Sequence, residues 1–327
     1  MEFVSVVIPV YNEEKYIREC IDSLLTQTYP KENMEIIFVD GMSKDKTVEI
    51  INEYSKAYPY IKVLENPKKI VPVAMNIGIK AAVGEYIVRL DAHADYPQDY
   101  VEKCVKYLVE NEDWDNVGGF AETKGRGFMG STIALMLSSK FGVGNSKFRT
   151  ERKSDFVDTV PFGTYRKSLF EKIGYYDERL VRNQDNELNY RIRKNGGKIF
   201  LAEDIVFSYY CRDSIKGISK MAVQNGKWNI FTSKFCPGTM GIRHFIPLAF
   251  VASVIGLTIF SLIWSPFVYL LLAELLLYLL CDILFTLKLK PNFKQFFILL
   301  ALFPIFHVCY GFGSISGLIN VYILRRV

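Results

Sequence analysis

Residues 3–10, FVSVVIPV, form an apolar, β-branched run that the polar Asn12-Glu13-Glu14 cuts off. Beyond it, apolar positions recur at helical spacing: Ile17, Cys20, Ile21, Leu24 and Leu25. This pattern predicts a strand, a loop and a helix. The same unit returns. EIIFVD (35–40) predicts a buried strand ending on an acid, followed by the loop GMSKDKT and a helix through Val48, Ile51 and Tyr54. IKVLEN (61–66) leads into a helical stretch over 71–82, and EYIVRLD (85–91) precedes a helix after Pro97. Strands alternating with helices imply right-handed parallel βαβ units. Ligands of such sheets sit beyond the carboxyl ends of the strands. The first, second and fourth strands are predicted to end at Tyr11-Asn12-Glu13, Asp40 and Asp91.

The pattern then loosens. NVGGFAE (116–122) predicts a strand, 128–142 an apolar helix that is buried or interfacial, and 155–167 a strand with a turn. Residues 183–197 predict a helix with Leu188 and Ile192 on its apolar face, closed by Gly196-Gly197. KIFLAEDIVFSYY predicts one or two strands. Residues 214–235 alternate Ile215, Ile218, Met221, Trp228, Ile230 and Phe231 with Lys216, Lys220, Lys227 and Lys234. That is the pattern of a helix lying in a membrane interface, or of an ordinary helix packed on the domain. Three apolar runs follow, at about 245–264, 266–287 and 296–324. The first two are each long enough to cross a bilayer of about 30 Å. The basic linker LKLKPNFKQ, between the second and third runs, is expected on the cytoplasmic side. The third run carries Pro304, Gly311, Gly313 and Gly317. A single kinked span would put Arg325-Arg326 outside, and a re-entrant pair would return them; about three spans are expected.

Charge refines this division. From His244 onward there are five basic residues (Lys288, Lys290, Lys294, Arg325, Arg326) and two acids (Glu274, Asp282). Removing them from the totals of 40 and 35 leaves 35 basic and 33 acidic residues, a net of +2. A near-neutral domain argues against a nucleic-acid partner. The six cysteines are scattered without zinc spacing and are expected to be reduced. The chain starts directly on a strand with Glu2 early, so no signal peptide is expected and the first domain is expected in the cytoplasm. The expected division is 1–210, a catalytic domain; 211–243, an amphipathic interfacial segment; and 244–327, a membrane region.

Chemistry concentrates at the strand tips. In RLDAHADY (89–96), Asp91 ends a strand and His93 follows two positions on. Residues i and i+2 of an extended backbone face one side, so a carboxylate and an imidazole can reach one divalent cation. Asp40, with Tyr11-Asn12-Glu13, rings the same edge and can hydrogen-bond a ribose or a base. Asp185 in NQDNE opens a helix, where an acid is either a cap or a general base. The expected arrangement sets Asp40, Asp91 and His93 around one cation and diphosphate, with Asp185 across the cleft.

IPVYNEEKYIRECIDSLLTQTYP, FVDGMSKDKT and MNIGIKAAVGEYIVRLDAHADY together resemble the family 2 glycosyltransferases of GT-A fold. DAHADY with SSKFGVGNSKFR, VPFGTYRKSLFEKIGYYDE and NQDNELNYRIRKNGG is similar to the succinoglycan-biosynthesis branch. The resemblance implies an α/β, Rossmann-like, mostly parallel sheet followed by transmembrane helices. It implies inverting transfer from a nucleoside-diphosphate sugar, UDP by default. Pro9, Tyr11, Glu13, Asp40, Asn76 and Asp91 then fall on donor-holding positions, and Asp91 with His93 on the metal position for Mn²⁺ or Mg²⁺. Asp185 falls on the catalytic base, with Gln184 replacing the family's glutamate. Gln224-Asn-Gly-Lys227-Trp228 is similar to a signature of processive synthases, but lysine lacks arginine's fork. The implied partners are a nucleotide sugar, a lipid-linked (polyprenyl) glycan and the membrane, with a multi-pass protein whose catalytic domain is cytoplasmic. The competing readings are a processive polysaccharide synthase, a nucleotidyltransferase and a non-catalytic membrane scaffold.

Overall fold

The computed structural model describes residues 1–92 and 94–325. In chain order its elements begin with β1 (Val4–Val10), α1 (Ile17–Leu25), β2 (Met34–Asp40), α2 (Thr47–Ala57), β3 (Ile61–Glu65), α3 (Val71–Ala81), β4 (Tyr86–Arg89), β5 (Ala94–Asp95), α4 (Tyr100–Glu110) and β6 (Trp114–Lys124). There follow α5 (Gly127–Leu137), α6 (Lys140–Val143), α7 (Lys147–Thr150), β7 (Asp155–Phe156), β8 (Thr164–Arg166), α8 (Lys167–Ile173), α9 (Gln184–Lys194) and β9 (Lys198–Tyr210). The chain ends with α10 (Ile215–Phe235), α11 (Ile246–Ser261), α12 (Pro266–Lys288) and α13 (Phe293–Leu318).

The strands form one mixed sheet in the order β3-β2-β1-β4-β8-β6-β9-β5, with β7 beside β9. The first four are parallel. The pairs β4–β8, β6–β8, β5–β9 and β7–β9 are antiparallel. The N-terminal half of the sheet is thus parallel. The strand pleat explains why that half is sealed on both faces. Val4, Val6, Ile8 and Val10 pack with Ile36, Phe38 and Val88 against Ile17, Ile21 and Leu24 of α1 and Tyr100, Cys104 and Leu108 of α4. The alternate residues Val7, Ile37, Val39 and Ile87 pack against Ala74, Met75 and Ile79 of α3 and Leu188 and Ile192 of α9. α3 comes so close to β1 that a Cβ on Gly78 would stand 2.3 Å from a Val7 methyl.

The chain separates into two compact units, Met1–Glu122 with Lys147–Tyr209, and Thr123–Ser146 with Tyr210–Val327. Residues 123–146, expected in the catalytic domain, therefore group with the C-terminal helices. In that second unit α10 runs against α13 through small residues: a Cβ on Gly226 would meet the Tyr310 carbonyl at 2.0 Å, and one on Gly313 the Val223 carbonyl at 2.1 Å. Close backbone approach of this kind is how apolar helices associate where the hydrophobic effect does not drive them together. Phe141 of α6 inserts among Tyr278, Phe285 and Phe303. His307 ties the same segment down, accepting or donating at Tyr278 Oη (2.8 Å) and reaching the Phe141 carbonyl (2.8 Å).

Two helical stretches, Pro266–Lys288 and Phe293–Ile323, are long and apolar enough to cross a membrane. α11 is shorter, at 16 residues. At 1.5 Å per residue it reaches about 24 Å, less than a typical hydrocarbon core. Three expected spans thus become two full-length candidates and one short apolar helix. α12 exposes Tyr269, Leu272, Leu276, Leu277 and Leu280. Its two acids are both engaged, Glu274 by the Ser253 hydroxyl (2.5 Å) and buried Asp282 by the Thr286 hydroxyl (3.3 Å). All six cysteines are free thiols.

Candidate active site

The site residues lie in the first unit, at the carboxyl edge of the parallel strands. Register fixes their relative heights. Val10 stands beside Asp40, Pro9 beside Val39, and Val7 beside Arg89. β4 ends at Arg89, two residues short of Asp91, where the sequence places a strand end. The turn that follows is braced by Tyr96, whose hydroxyl accepts the Asp91 N–H (2.9 Å). The Tyr96 ring is itself packed edge-on against Tyr100 and Phe162. His93 lies outside the described residues.

Two loops at this edge are laced together. Asn12, at φ 56, donates its N–H to Ser43 Oγ (2.8 Å) and accepts the Lys44 N–H at Oδ1 (2.8 Å). The Glu13 N–H reaches Thr47 Oγ1 (2.8 Å) and the Glu14 N–H reaches Asp45 Oδ2 (3.1 Å). Asp40 is buried, and Ser43 holds both its oxygens, donating from Oγ to Oδ1 (2.5 Å) and from N–H to Oδ2 (3.0 Å). β1 lies between β2 and β4. β2, which ends at Asp40, thus lies two strand spacings, roughly 10 Å, from β4 at the backbone. Asp40 is held in the loops that carry Tyr11 and Glu13. Tyr11 is exposed, Pro9 is half-buried in β1, and Asn76 is buried in α3. The Asn76 amide donates to the Tyr176 carbonyl (2.9 Å) and Glu178 Oε1 (3.1 Å) and accepts the Tyr176 N–H (2.9 Å). Its partners in the structure are all in the loop that leads into α9.

α9 delivers Asp185 to the other side of the edge. Asn183 precedes it at φ 63, so the chain turns sharply into the helix and the acid falls in the first turn. There the unpaired N–H groups favour a negative charge. The structure brings Asp185 and Asp91 together through a residue that the sequence reading missed, Arg89. Its Nη1 donates to Asp185 Oδ2, and its Nη2 lies 3.4 Å from Asp91 Oδ1. The guanidinium also sits over the Phe162 ring at 5.7 Å. Arg89 is 5% exposed. A buried guanidinium is tolerated only with acids at hand. An arginine inside the apolar strand YIVRLD is the signal that would have flagged it.

Burial pushes the Asp185 carboxyl above its ordinary range; the Arg89 charge works against this and the Asp91 charge adds to it. Asp185 Oδ1 is buried and has no hydrogen-bond partner among the described residues. Behind it stand the buried phenols of Tyr165 and Tyr176, both held protonated by burial. Asn116 and Asn189 bond each other there (2.8 Å).

The arrangement offers one carboxylate that can accept a proton and a second at the sheet edge that can face a cation. Among the described residues no three His, Cys, Asp or Glu side chains converge as a metal cage. A partly exposed carboxylate at a strand tip does suit Mg²⁺ or Mn²⁺, hard ions commonly held by one or two carboxylates together with substrate phosphates.

Residues 5–174 match the sequence profile described as "Glycosyl transferase family 2". The chain is 30% identical over 329 residues to the dolichyl N-acetyl-alpha-D-glucosaminyl phosphate 3-beta-D-2,3-diacetamido-2,3-dideoxy-beta-D-glucuronosyltransferase of Methanococcus voltae, spanning 98% of each chain. It is 30% identical over 268 residues to the succinoglycan biosynthesis protein ExoA of Rhizobium meliloti, 80% of each. Among solved structures it is similar to the mannosyltransferase of Pyrobaculum calidifontis in complex with GDP-Man and Mn²⁺, with a TM-score of 0.66 at 17% identity over 96% of this chain and 87% of that one.

Proposed function

The chain belongs to the family 2 glycosyl transferases and carries a GT-A fold, and from that premise we propose that it moves a sugar, with inversion, from a UDP-linked donor to a membrane lipid-linked glycan. The observation that carries this reading is the pairing of Asp185 and Asp91 across one buried guanidinium at the carboxyl edge of the parallel strands.

Asp185, ionised, accepts the proton of the acceptor hydroxyl as that oxygen attacks the anomeric carbon and the nucleoside diphosphate departs. A single displacement from the face opposite the nucleotide inverts the configuration. Positioned proton transfer of this kind contributes about 10²–10⁴-fold. Tyr11, Glu13, Pro9 and Asp40 line the nucleotide side of the edge, where their laced loops present backbone and carboxylate groups to a ribose and a base. Asn76 sets the loop before α9. Asp91 and His93 would hold Mg²⁺ or Mn²⁺, which when bound neutralises charge on the departing diphosphate.

The acceptor class rests on the second unit. α12 exposes a continuous leucine surface, which fits lipid rather than water. The Methanococcus relative is named for a dolichyl-phosphate-linked acceptor, and the Rhizobium one for succinoglycan biosynthesis. A tethered enzyme meets such an acceptor at raised effective concentration. The multi-pass arrangement with the catalytic unit on the cytoplasmic face belongs to the same proposal.

The test is a panel of UDP-glucose, UDP-N-acetylglucosamine, UDP-glucuronate and GDP-mannose, given to full-length enzyme in detergent with Mn²⁺ and an extract of membrane lipids. The expected result is release of UDP from one donor, dependent on the lipid extract and abolished by EDTA. Release that persists in EDTA, or turnover with GDP-mannose alone, contradicts the reading.

A further inference from the structure

We propose that Arg89 is the positioning residue of the reaction: its two guanidinium nitrogens hold one oxygen of Asp185 and one of Asp91, so that the Asp185 carboxylate is fixed in the single orientation in which it receives the proton. The proposal rests on the assignment of Asp185 as base. It begins from the fork. Nη1 takes Asp185 Oδ2 and Nη2 faces Asp91 Oδ1 at 3.4 Å. These carboxylates come from different elements, the first turn of α9 and the loop after β4. Two like charges brought this close repel, and one cation between them removes the repulsion. A guanidinium does this with fixed geometry, because its nitrogens are coplanar and cannot rotate independently.

The orientation of Asp185 follows. With Oδ2 occupied, rotation about χ2 is blocked. Oδ1 is turned inward, where it is buried without a partner among the described residues, so the carboxylate is held in one orientation. A carboxylate without this clamp would have two equivalent oxygens and a free torsion. Arg89 is in turn seated over Phe162 and backed by the sheet, so the clamp is part of the rigid edge. A purely structural arginine would also sit between acids, so the test must read what a structural role would not change.

Arg89→Met and Arg89→Lys are made in the full-length protein, each alone and combined with Asp185→Asn, and assayed with the donor that the panel selects. Arg89→Met should lower kcat by about 10²-fold and move KM for the donor by less than about threefold. Arg89→Lys, which keeps the charge but reaches one acid at a time, should recover about tenfold of that loss. On the Asp185→Asn background Arg89→Met should cost less than about threefold more, because a residue that acts through another has nothing left to position. A kcat within twofold of the parent, or losses that multiply in the double variant, overturns the proposal. Should Arg89→Met fail to accumulate as folded protein, the same cycle with Arg89→Lys decides by the same criterion.

A second measurement needs neither donor nor acceptor. Titration of the protein with Mn²⁺, following free Mn²⁺ by electron paramagnetic resonance, should show Arg89→Met binding the ion about tenfold more tightly, since Asp91 loses a competing cation. Unchanged or weaker binding overturns the clamp. This arm also separates the two readings. If Asp185→Asn alone keeps full turnover, the base assignment falls, and the Mn²⁺ titration still judges Arg89.

Discussion

As the proposed base, Asp185 would work only as the anion, and its surroundings set the pH at which it becomes one. Burial raises its pKa above the ordinary 3.8, Arg89 pulls it back, and Asp91 raises it again, with a net rise. A base with a raised pKa is protonated sooner as the medium is acidified. The acid limb of kcat should therefore lie higher than an ordinary aspartate would put it, and a profile with no acid limb would contradict the assignment. The individual residues were unequally visible in the sequence. Asp91 and Asp185 stand out because a motif falls there on an expected element end, a strand tip for Asp91 and a helix start for Asp185. Arg89 did not, since one charge in an apolar strand looks like a solvated end until the fold buries it. Asn76 matched a donor position by motif, yet its amide is occupied by Tyr176 and Glu178, a contact across 100 residues that no local pattern encodes.

The secondary elements follow from periodicity wherever one face or both are buried. β1 and β2 read as continuous apolar runs because helices cover both faces, and α1 reads as a stripe because only one of its faces is covered. One polar residue in β2 breaks its run and has a task. Glu35 accepts from Ser5 Oγ of β1 (2.5 Å), from Lys62 Nζ of β3 (2.7 Å) and from the Val83 N–H before β4 (2.7 Å). Burial pushes its carboxyl up, but Lys62, Ser5 and Val83 outweigh this and leave it below its ordinary 4.5. A lowered folded pKa means stability present above the unfolded value and lost as pH falls through the folded one. Glu35→Gln should thus destabilise by about 1–3 kcal/mol at pH 7, with the difference in Tm shrinking below pH 4. An unchanged Tm at pH 7 would show the staple to be inert. The antiparallel half of the sheet was less legible, because β5, β7 and β8 are two or three residues long and are specified by partners distant in sequence.

The molecule as a whole pairs a sheet-based unit with an apolar helical one. The sequence shows the start of the apolar region near His244, after α10, through the fall in charge. It does not show that residues 123–146 leave the first unit and join the second, because that depends on Phe141 and His307 meeting across 166 positions. α12 makes the membrane reading testable. Leu276 is 65% exposed on it, and Leu276→Arg places a charge where lipid is expected, at a cost of about 2.5–3.5 kcal/mol near a helix centre. The variant should shift from the membrane fraction toward the soluble or degraded pool, whereas Glu53→Arg on the first unit should not. Equal partitioning would argue against insertion of α12. The central claim is that Asp185 removes the acceptor's proton while the rest of the edge holds the donor. Its most direct test is Asp185→Asn in the full-length enzyme, with turnover measured on membrane lipid and donor binding measured separately by calorimetry with Mn²⁺ present. The account predicts turnover lower by about two to four orders of magnitude with donor affinity nearly unchanged; full turnover, or loss of donor binding in step with activity, would contradict it.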